Sequence, residues 1–344
     1  MTVRRRLPYT LVLAAFAAAV LAAGTAGIVA GSVGMPVAEV WGILLHRMRL
    51  PLAEPTWTAV RETIVMDVRL PRVLLCAIVG AGLSVCGMAL QALVRNPLAD
   101  PMLLGVSSGG TVGAVLVMVF NVTFLGAFSL PLAAFAGSFL ALVLVYGLAR
   151  AGGRLTTVRL VLAGVATAEV LSALASFLIV TSNDPHKADS ALRWMLGGLA
   201  GTTWDLLWIP AAAVLLGTGV LLGVSRPLNL LLAGEEAAAS LGLDVHRFRA
   251  AMFVLVAMMI GTIVAVSGSI GFVGLMLPHV VRLLVGADHR RALPAAALLG
   301  AAFLIAADLA ARSLIAPEEI PIGILTAVTG GPFFLWLMRR RAAR

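Results

Sequence analysis

Serine, cysteine, lysine and carboxylate side chains stand in this sequence where each could do chemistry, and their neighbours decide whether they can. The run G-V-S-S-G at 105–109 has the G-x-S-x-G form that raises a serine nucleophile on a sharp turn. Ser107 would need a histidine base oriented by an acid. His279, in L-P-H-V-V-R, is the histidine nearest an apolar run, and no orienting acid accompanies it. A membrane serine protease therefore lacks most of its constellation. Cys76 and Cys86 share one apolar run ten residues apart. Along a helix that is about 15 Å, too far for a disulfide, so both read as small core residues. No Cys/His spacing matches a metal site. The 13 methionines are scattered, with Met258–Met259 the one adjacent pair, and read as fillers of apolar packing.

Of 25 basic residues a single one is lysine, Lys187, in N-D-P-H-K-A. A phosphate-cradling loop needs G-x-x-x-x-G-K-[ST], so this chain has none, and nucleotide-driven work falls to a partner subunit. Glu169 lies in L-A-G-V-A-T-A-E-V-L-S-A-L. A charge at the centre of a bilayer costs about 2.5–3.5 kcal/mol and marks a functional candidate. Two readings stand: a polar feature on a substrate path with Ser172, or a protonated carboxyl bonded to Ser172, Thr167 or a neighbouring helix.

The elements that hold these residues are set by composition. Of 344 residues 61% are apolar and 12% charged, with a mean hydropathy of +1.04. A soluble domain is nearer about 45–50% apolar and 25% charged. Soluble enzymes, disordered chains and disulfide scaffolds are excluded. The chain reads as a single all-α polytopic membrane domain over residues 1–344. Apolar runs fall at 7–33, 71–94, 102–120, 128–149, 159–181, 204–224, 250–267, 270–286, 292–315 and 320–338, ten in all. The first follows Arg4–Arg6 but is too long for a signal-peptide core, and is expected to be retained.

Ten spans put both termini on one side. The connections on that side hold Arg4–Arg6, Arg95, Arg150, Arg154, Arg159, Arg226, Arg247, Arg249, Arg282, Arg290, Arg291, Arg339–Arg341 and Arg344: 17 basic residues against 5 acidic ones. The opposite side has 8 basic and 9 acidic. The basic side is expected to be cytoplasmic, in a cytoplasmic membrane. The net charge of +9 is then topology and gives no sign of nucleic acid.

Three connections are too long to be turns. Residues 36–48 place Val37, Val40, Trp41 and Leu44 at helical spacing, as in an amphipathic helix on the outer surface. A second outer helix is expected around Ala188–Leu199. On the inner side, residues 228–242 are split by Gly234 into two short helices. Glu235 and Glu236 favour a helix start and Gly242 a stop, while Ala237, Ala238, Ala239 and Leu241 form a knob suited to a groove.

Seven ordered blocks then resemble one family. They are V-R-L-P-R (68–72), L-Q-A-L-V-R-N-P-L-A-D-P-M-L-L-G-V-S-S-G (90–109), G-E-E-A-A-A-S-L-G (234–242), G-S-I-G-F-V-G-L-M-L-P-H-V-V-R (268–282), G-A-D-H-R (286–290), A-D-L-A-A-R (307–312) and E-I-P-I-G-I-L-T-A-V-T-G-G-P-F-F (319–334). The chain resembles the FecCD-type permeases of ATP-binding-cassette importers for ferric siderophores, haem and cobalamin.

That resemblance implies a type II importer permease of about ten transmembrane helices, paired with a second permease subunit. Two cytoplasmic ATPase subunits would bind below and use ATP and Mg²⁺, with no cofactor held by this chain. A substrate-binding protein would dock above. Gly234, Glu235, Glu236, Ala237, Ala238, Leu241 and Gly242 would couple to the ATPase. Arg69, Arg72 and Arg312 at the outer rim would meet carboxylates of the binding protein, although Asp308, one turn before Arg312, could hold it instead. The fifth and tenth runs would line the path, with Glu169, Ser172 and Thr326 facing it. Gln91, Asn96 and Pro97 end the second run, where proline stops the helix and Asn can bond freed backbone groups. Gly105 and Gly109 would bring helices close. A ferric siderophore is the expected cargo, with haem or cobalamin as the alternative. A proton-coupled secondary transporter using Glu169 and Asp308 is the reading from a different class.

Overall fold

The computed structural model describes residues 8–31, 34–50, 56–150, 157–182 and 184–342. Arg4–Arg6, Arg154 and Arg344 of the arginine pattern, and the outer ends of the first run, lie outside the described residues. Those described form an all-helical bundle with no strand. Numbered in chain order, its apolar helices are α1 (Tyr9–Val29), α4 (Leu70–Val94), α5 (Val106–Phe120), α6 (Ser129–Arg150), α7 (Thr157–Val180), α9 (Trp208–Gly223), α12 (Val245–Ser267), α13 (Val273–Val285), α14 (His289–Ser313) and α15 (Ile322–Ala342). Between them stand α2 (Val37–Arg47), α3 (Ala59–Thr63), α8 (Pro185–Met195), α10 (Ser225–Ala233) and α11 (Glu235–Ser240). Seven rods are long and apolar enough to cross a bilayer, while α5, α13 and the apolar part of α15 are shorter.

The axis of the bundle is α4. From Leu83 to Val94 every residue is buried, as expected of a helix that is apolar all round. It packs against α14, α13, α12 and α9. Gly87 lets α13 approach so closely that a Cβ there would overlap the Gly274 carbonyl, the small-residue contact that membrane helices use in place of a hydrophobic driving force.

The second run was expected to begin at 71, but its rod starts at Ala59. The α3 helix runs through a π-helical turn, Ile64–Arg69, straight into α4. Leu70 donates its N–H to Val65 O; Pro71 has no N–H to continue this pattern, and the Met66 carbonyl, five residues before it, accepts instead from Trp204 Nε1 at 3.0 Å.

The third and eighth runs are shorter as helices than as apolar stretches. Residues Pro101–Leu104 form a 3₁₀ turn, and α5 starts only after Gly105 in the left-handed region (φ 77°). Likewise α12 ends at Ser267 and α13 starts at Val273. Gly268 (φ 62°) and Phe272 (φ 67°) hold the intervening backbone out of helix. Irregular backbone between spans survives where protein covers it. Here Gly198 donates its N–H to Ser267 O at 2.9 Å, and Ile322 donates to Gly197 O at 3.0 Å.

The two outer helices form with altered faces and ends. In α2 the buried residues are Val40, Gly42 and Ile43, whereas Val37 and Trp41 are exposed. The helix is turned toward Trp57, which seats against Gly42. The second starts earlier than expected, at Pro185. Asp184 caps it by accepting the His186 N–H at 3.0 Å, and it stops before Gly197 (φ 72°).

Candidate translocation path and coupling surface

At the end expected to be outer, three arginines and two acids form one internal network. Asp308, 1% exposed, accepts from Arg72 Nε at 2.9 Å and from Arg312 Nε at 3.0 Å. Arg72 also makes a bidentate pair with Glu319, at 2.9 and 2.8 Å. Arg312 reaches across to Gly27 O and Ala30 O on α1. Arg69, 6% exposed, donates to Ile28 O at 2.7 Å and to Val29 O. The expected rim of available charge is therefore corrected. The rod continues outward past Arg69 for ten residues, so these guanidinium groups lie inside the bundle. They satisfy carbonyls left over at the C-terminus of α1 and tie α1, α4, α14 and the start of α15 together. The pairing of Arg312 with Asp308, weighed from the sequence, is present; what the sequence reading missed is that Asp308 also holds Arg72 and that Glu319 joins them. The signal was present: an acid inside an apolar run one turn before an arginine needs a partner.

Deeper in the bundle, the small and hydroxyl residues of the third run act as joints. Gly105 takes a left-handed turn and lies in ordinary contact range of α7, at Gly164, Thr167 and Ala168. Gly109 does bring helices close, since a Cβ there would strike Gly137 O of α6. Ser107 donates to Ser269 Oγ at 2.6 Å, which links the start of α5 to the unwound 268–272 segment. His279 lies far along α13 with its ring against Phe333, so Ser107 has the wrong neighbour for a nucleophile. Asp100 is buried and accepts the Met102 N–H at 2.7 Å. Burial pushes its carboxyl up to about 6, against the backbone N–H groups of Met102 and Phe272, which pull it down.

Of the expected path residues, Glu169 is exposed on α7. Ser172 is half-buried and shares a hydrogen bond with Ser108 at 3.0 Å, so it joins α7 to α5. Thr326 is corrected: it is 1% exposed and bonds Gly323 O of its own helix, whereas Thr329, one turn on, is exposed. Val165, Val170, Leu174 and Phe177 on α7, with Ile324 and Val328 on α15, are large apolar side chains uncovered in the single chain. Glu169 shares the face of α7 that these residues leave open.

At the opposite end of the bundle, Gln91 is a bridge. Pro278 inside α13 has no N–H for the carbonyl of Gly274, four residues back. Gln91 Nε2 donates to that carbonyl at 3.2 Å, and its Oε1 accepts from Arg282 Nη2 at 2.5 Å. The stop of α4 comes before Pro97, at Arg95 in the left-handed region (φ 54°). Asn96 Oδ1 then accepts the Leu98 N–H at 3.0 Å and sets the turn. The coupling segment splits at Gly234 (φ 131°) and stops at Gly242 (φ 86°). Arg249, itself buried, bonds the Glu235 carboxyl at 2.9 Å and holds it below its ordinary value. Glu236, Ala237, Ala239 and Leu241 are exposed, but Ala238 is buried in the core and cannot belong to the knob's outer surface.

A bundle of long apolar helices, with half-length helices packed on its central rod and a short helix pair between two spans, defines a polytopic membrane transport subunit. The chain belongs to the FecCD transport family, whose model matches residues 11–340. It is thus a permease of an ATP-binding-cassette importer, a multi-pass membrane transport subunit and not itself an enzyme. It is 43% identical over 307 residues to the cobalamin import system permease protein BtuC of Halobacterium salinarum, covering 88% of this chain and 81% of that one. It is 44% identical over 281 residues to the hemin transport system permease protein HmuU of Yersinia pestis, covering 80% and 83%. A metal-chelate type ABC transporter solved in an inward-facing conformation matches with a TM-score of 0.82 and 32% identity, over 96% of this chain and 99% of that one.

Proposed function

We propose that two permease subunits of this kind enclose a path lined by α7 and α15, and that the path carries a bulky metal chelate inward. The observation that carries this reading is the open apolar face of α7 and α15, which bears a carboxylate at Glu169. A lipid-facing surface would not retain that charge, whereas a water-filled path would. Relatives named for cobalamin and hemin favour a macrocyclic chelate over the siderophore expected from sequence. Two ATPase subunits engage the exposed side of α11 and hydrolyse Mg²⁺–ATP. An extracytoplasmic binding protein delivers the cargo. Its carboxylates meet the exposed cations of the outer side, Arg47, Arg49 and Arg193, with the half-buried Arg61 and Arg72 at the edge of that surface. The arginine bias supports a topology with both termini in the cytoplasm.

The experiment is uptake into proteoliposomes holding this permease, its ATPase and its loaded binding protein. Cyanocobalamin, haemin and a ferric hydroxamate siderophore are offered in turn. ATP-dependent accumulation of a macrocycle supports the reading, and accumulation of the siderophore alone overturns the cargo assignment. Accumulation driven by a proton gradient without the ATPase would overturn the mechanism.

A further inference from the structure

The seam where α6 and α9 both pack against α12 is left open as a groove of about 620 Å³. Its walls run from Ile209 to Val220 on α9 and from Leu255 to Val266 on α12. Eleven steps of helix on each wall make it about 16 Å long. Measured from the end expected to be outer, that is the depth of one leaflet of a hydrocarbon core about 30 Å thick. Thr262 carries the one polar side chain among the lining residues, and its hydroxyl already donates to Met258 O at 2.7 Å. A buried water needs about 2–4 polar partners, and no free side-chain partner lines this groove. Left empty, the groove would deprive its lining of contacts. Its filling is therefore apolar.

The rim decides between a lipid chain and another helix. Leu132, Ile209, Leu216, Val220 and Met258 are large, apolar and exposed there. They continue the uncovered faces of α6 and α9 at Leu140, Leu144 and Leu215. Membrane helices associate through small residues and polar bonds, and the small residues of this groove are already used. A Cβ at Gly217 would strike Met259 Sδ, and Ala265 packs with Ala114 and Ala134. A seam for a second spanning helix would also cross the whole membrane, whereas this one stops at mid-depth. At its open end stands Trp208, 69% exposed, a residue type that favours the headgroup level. There the groove shares Pro131, Leu206, Ala265 and Val266 with a polar cleft that includes Ser190 and Arg193. An apolar slot one leaflet deep that opens onto a polar cleft has the shape of an amphiphile.

We propose that this groove seats an acyl chain of a membrane phospholipid, with the headgroup at the polar cleft. The chain completes the wall between α6 and α9 that the protein leaves out. The site lies apart from α7 and α15 and does not depend on which chelate is carried.

The test places the full chain in phosphatidylcholine nanodiscs that include a phosphatidylcholine bearing a photoactivatable diazirine midway along one chain. Labelled peptides are mapped after illumination. Labelling within 209–220 and 255–266 is expected to exceed that of 140–148, an open face of α6, by about fivefold, since a seated chain buries more apolar area than one passing over a surface. Ala213→Phe puts a ring into the groove and should remove that excess while leaving 140–148 unchanged. Leu216→Trp narrows the groove from an exposed position and should act in the same direction even if Ala213→Phe does not fold. Equal labelling of all three segments in the wild-type chain overturns the proposal, because the groove then holds lipid no better than any apolar face. Undiminished excess in a folded groove-filling variant overturns it too. So does thiol cross-linking of Leu216→Cys to a second copy or to another protein in membranes, which would put a protein in the seam.

Discussion

Asp308 carries two guanidinium groups in a place with no water to replace it. Removing one member of a buried ion network leaves the others charged and unpaired, which costs about 3–5 kcal/mol. Glu319, 42% exposed at its side chain, belongs to the same network at its wet edge, where a pair contributes about 0–1 kcal/mol. Asp308→Asn should therefore lower the thermal midpoint of the purified permease far more than Glu319→Gln. Equal shifts would show that the network contributes nothing specific. Asp100 gives a second test at this scale. Its carboxyl titrates near 6 when folded, against an ordinary 3.8. Between those values the folded chain holds a proton that the unfolded chain has released, so stability falls as pH rises through that window. Above about 6 the penalty is constant. The thermal midpoint of the wild-type chain should decline from pH 4 to 6, and Asp100→Asn should be flat there. Parallel profiles would remove Asp100 as the cause.

At the scale of elements, the coupling pair divides a contiguous alanine run into an outside and an inside. Ala239→Arg should leave the permease folded but unable to retain its ATPase on co-purification. Ala238→Arg should instead fail to fold, because its side chain sits in the core. Normal ATPase retention and turnover by Ala239→Arg would argue against this contact surface. Periodicity could place the helix here but could not orient it, because three consecutive alanines are identical to one another and the polar residues flank them at both ends, Glu235 and Glu236 before and Ser240 after. Most spans were legible for the opposite reason. Long uniform runs such as Val245–Ser267 have one stable solution in lipid. The half-helices α5 and α13 were not, because hydropathy counts an apolar residue alike whether its backbone is helical or unwound. Glycine at 105 and 268 was the visible hint, and Phe272 at positive φ was no hint at all. The arginines at 69, 72 and 312 were found as a set, but of their partners inside the bundle only Asp308 for Arg312 was read. Pro71 reads locally as a helix boundary, and nothing local announces a π turn.

The whole molecule has one side that a monomer leaves unfinished. If α7 and α15 face a second subunit across the path, cysteines placed there should meet. The double variant Leu174→Cys with Val328→Cys, treated in membranes with a short bifunctional thiol reagent, should run as a covalent dimer. Leu144→Cys with Leu148→Cys, on the exposed side of α6, should not. The background is low, since Cys76 and Cys86 are fully buried. Dimers from both pairs or from neither would count against this interface.

The π turn at Ile64–Arg69 also has a meaning in chain length. A π turn is one residue more than an α-helix needs for the same rise, so the rod stores an insertion within itself. Deleting a single residue there would restore an ordinary helix with the residues on both sides facing as before. The same deletion in the regular helix a turn away would rotate everything beyond it by about 100°. Arg72, Asp308 and the span below would keep their register, and Arg61 would keep Glu39, its partner at 2.6 Å. The rod can thus shorten by one residue at this turn alone without turning α3 away from the cover formed by α2 and Trp57, so its length and the facing of its end are set separately.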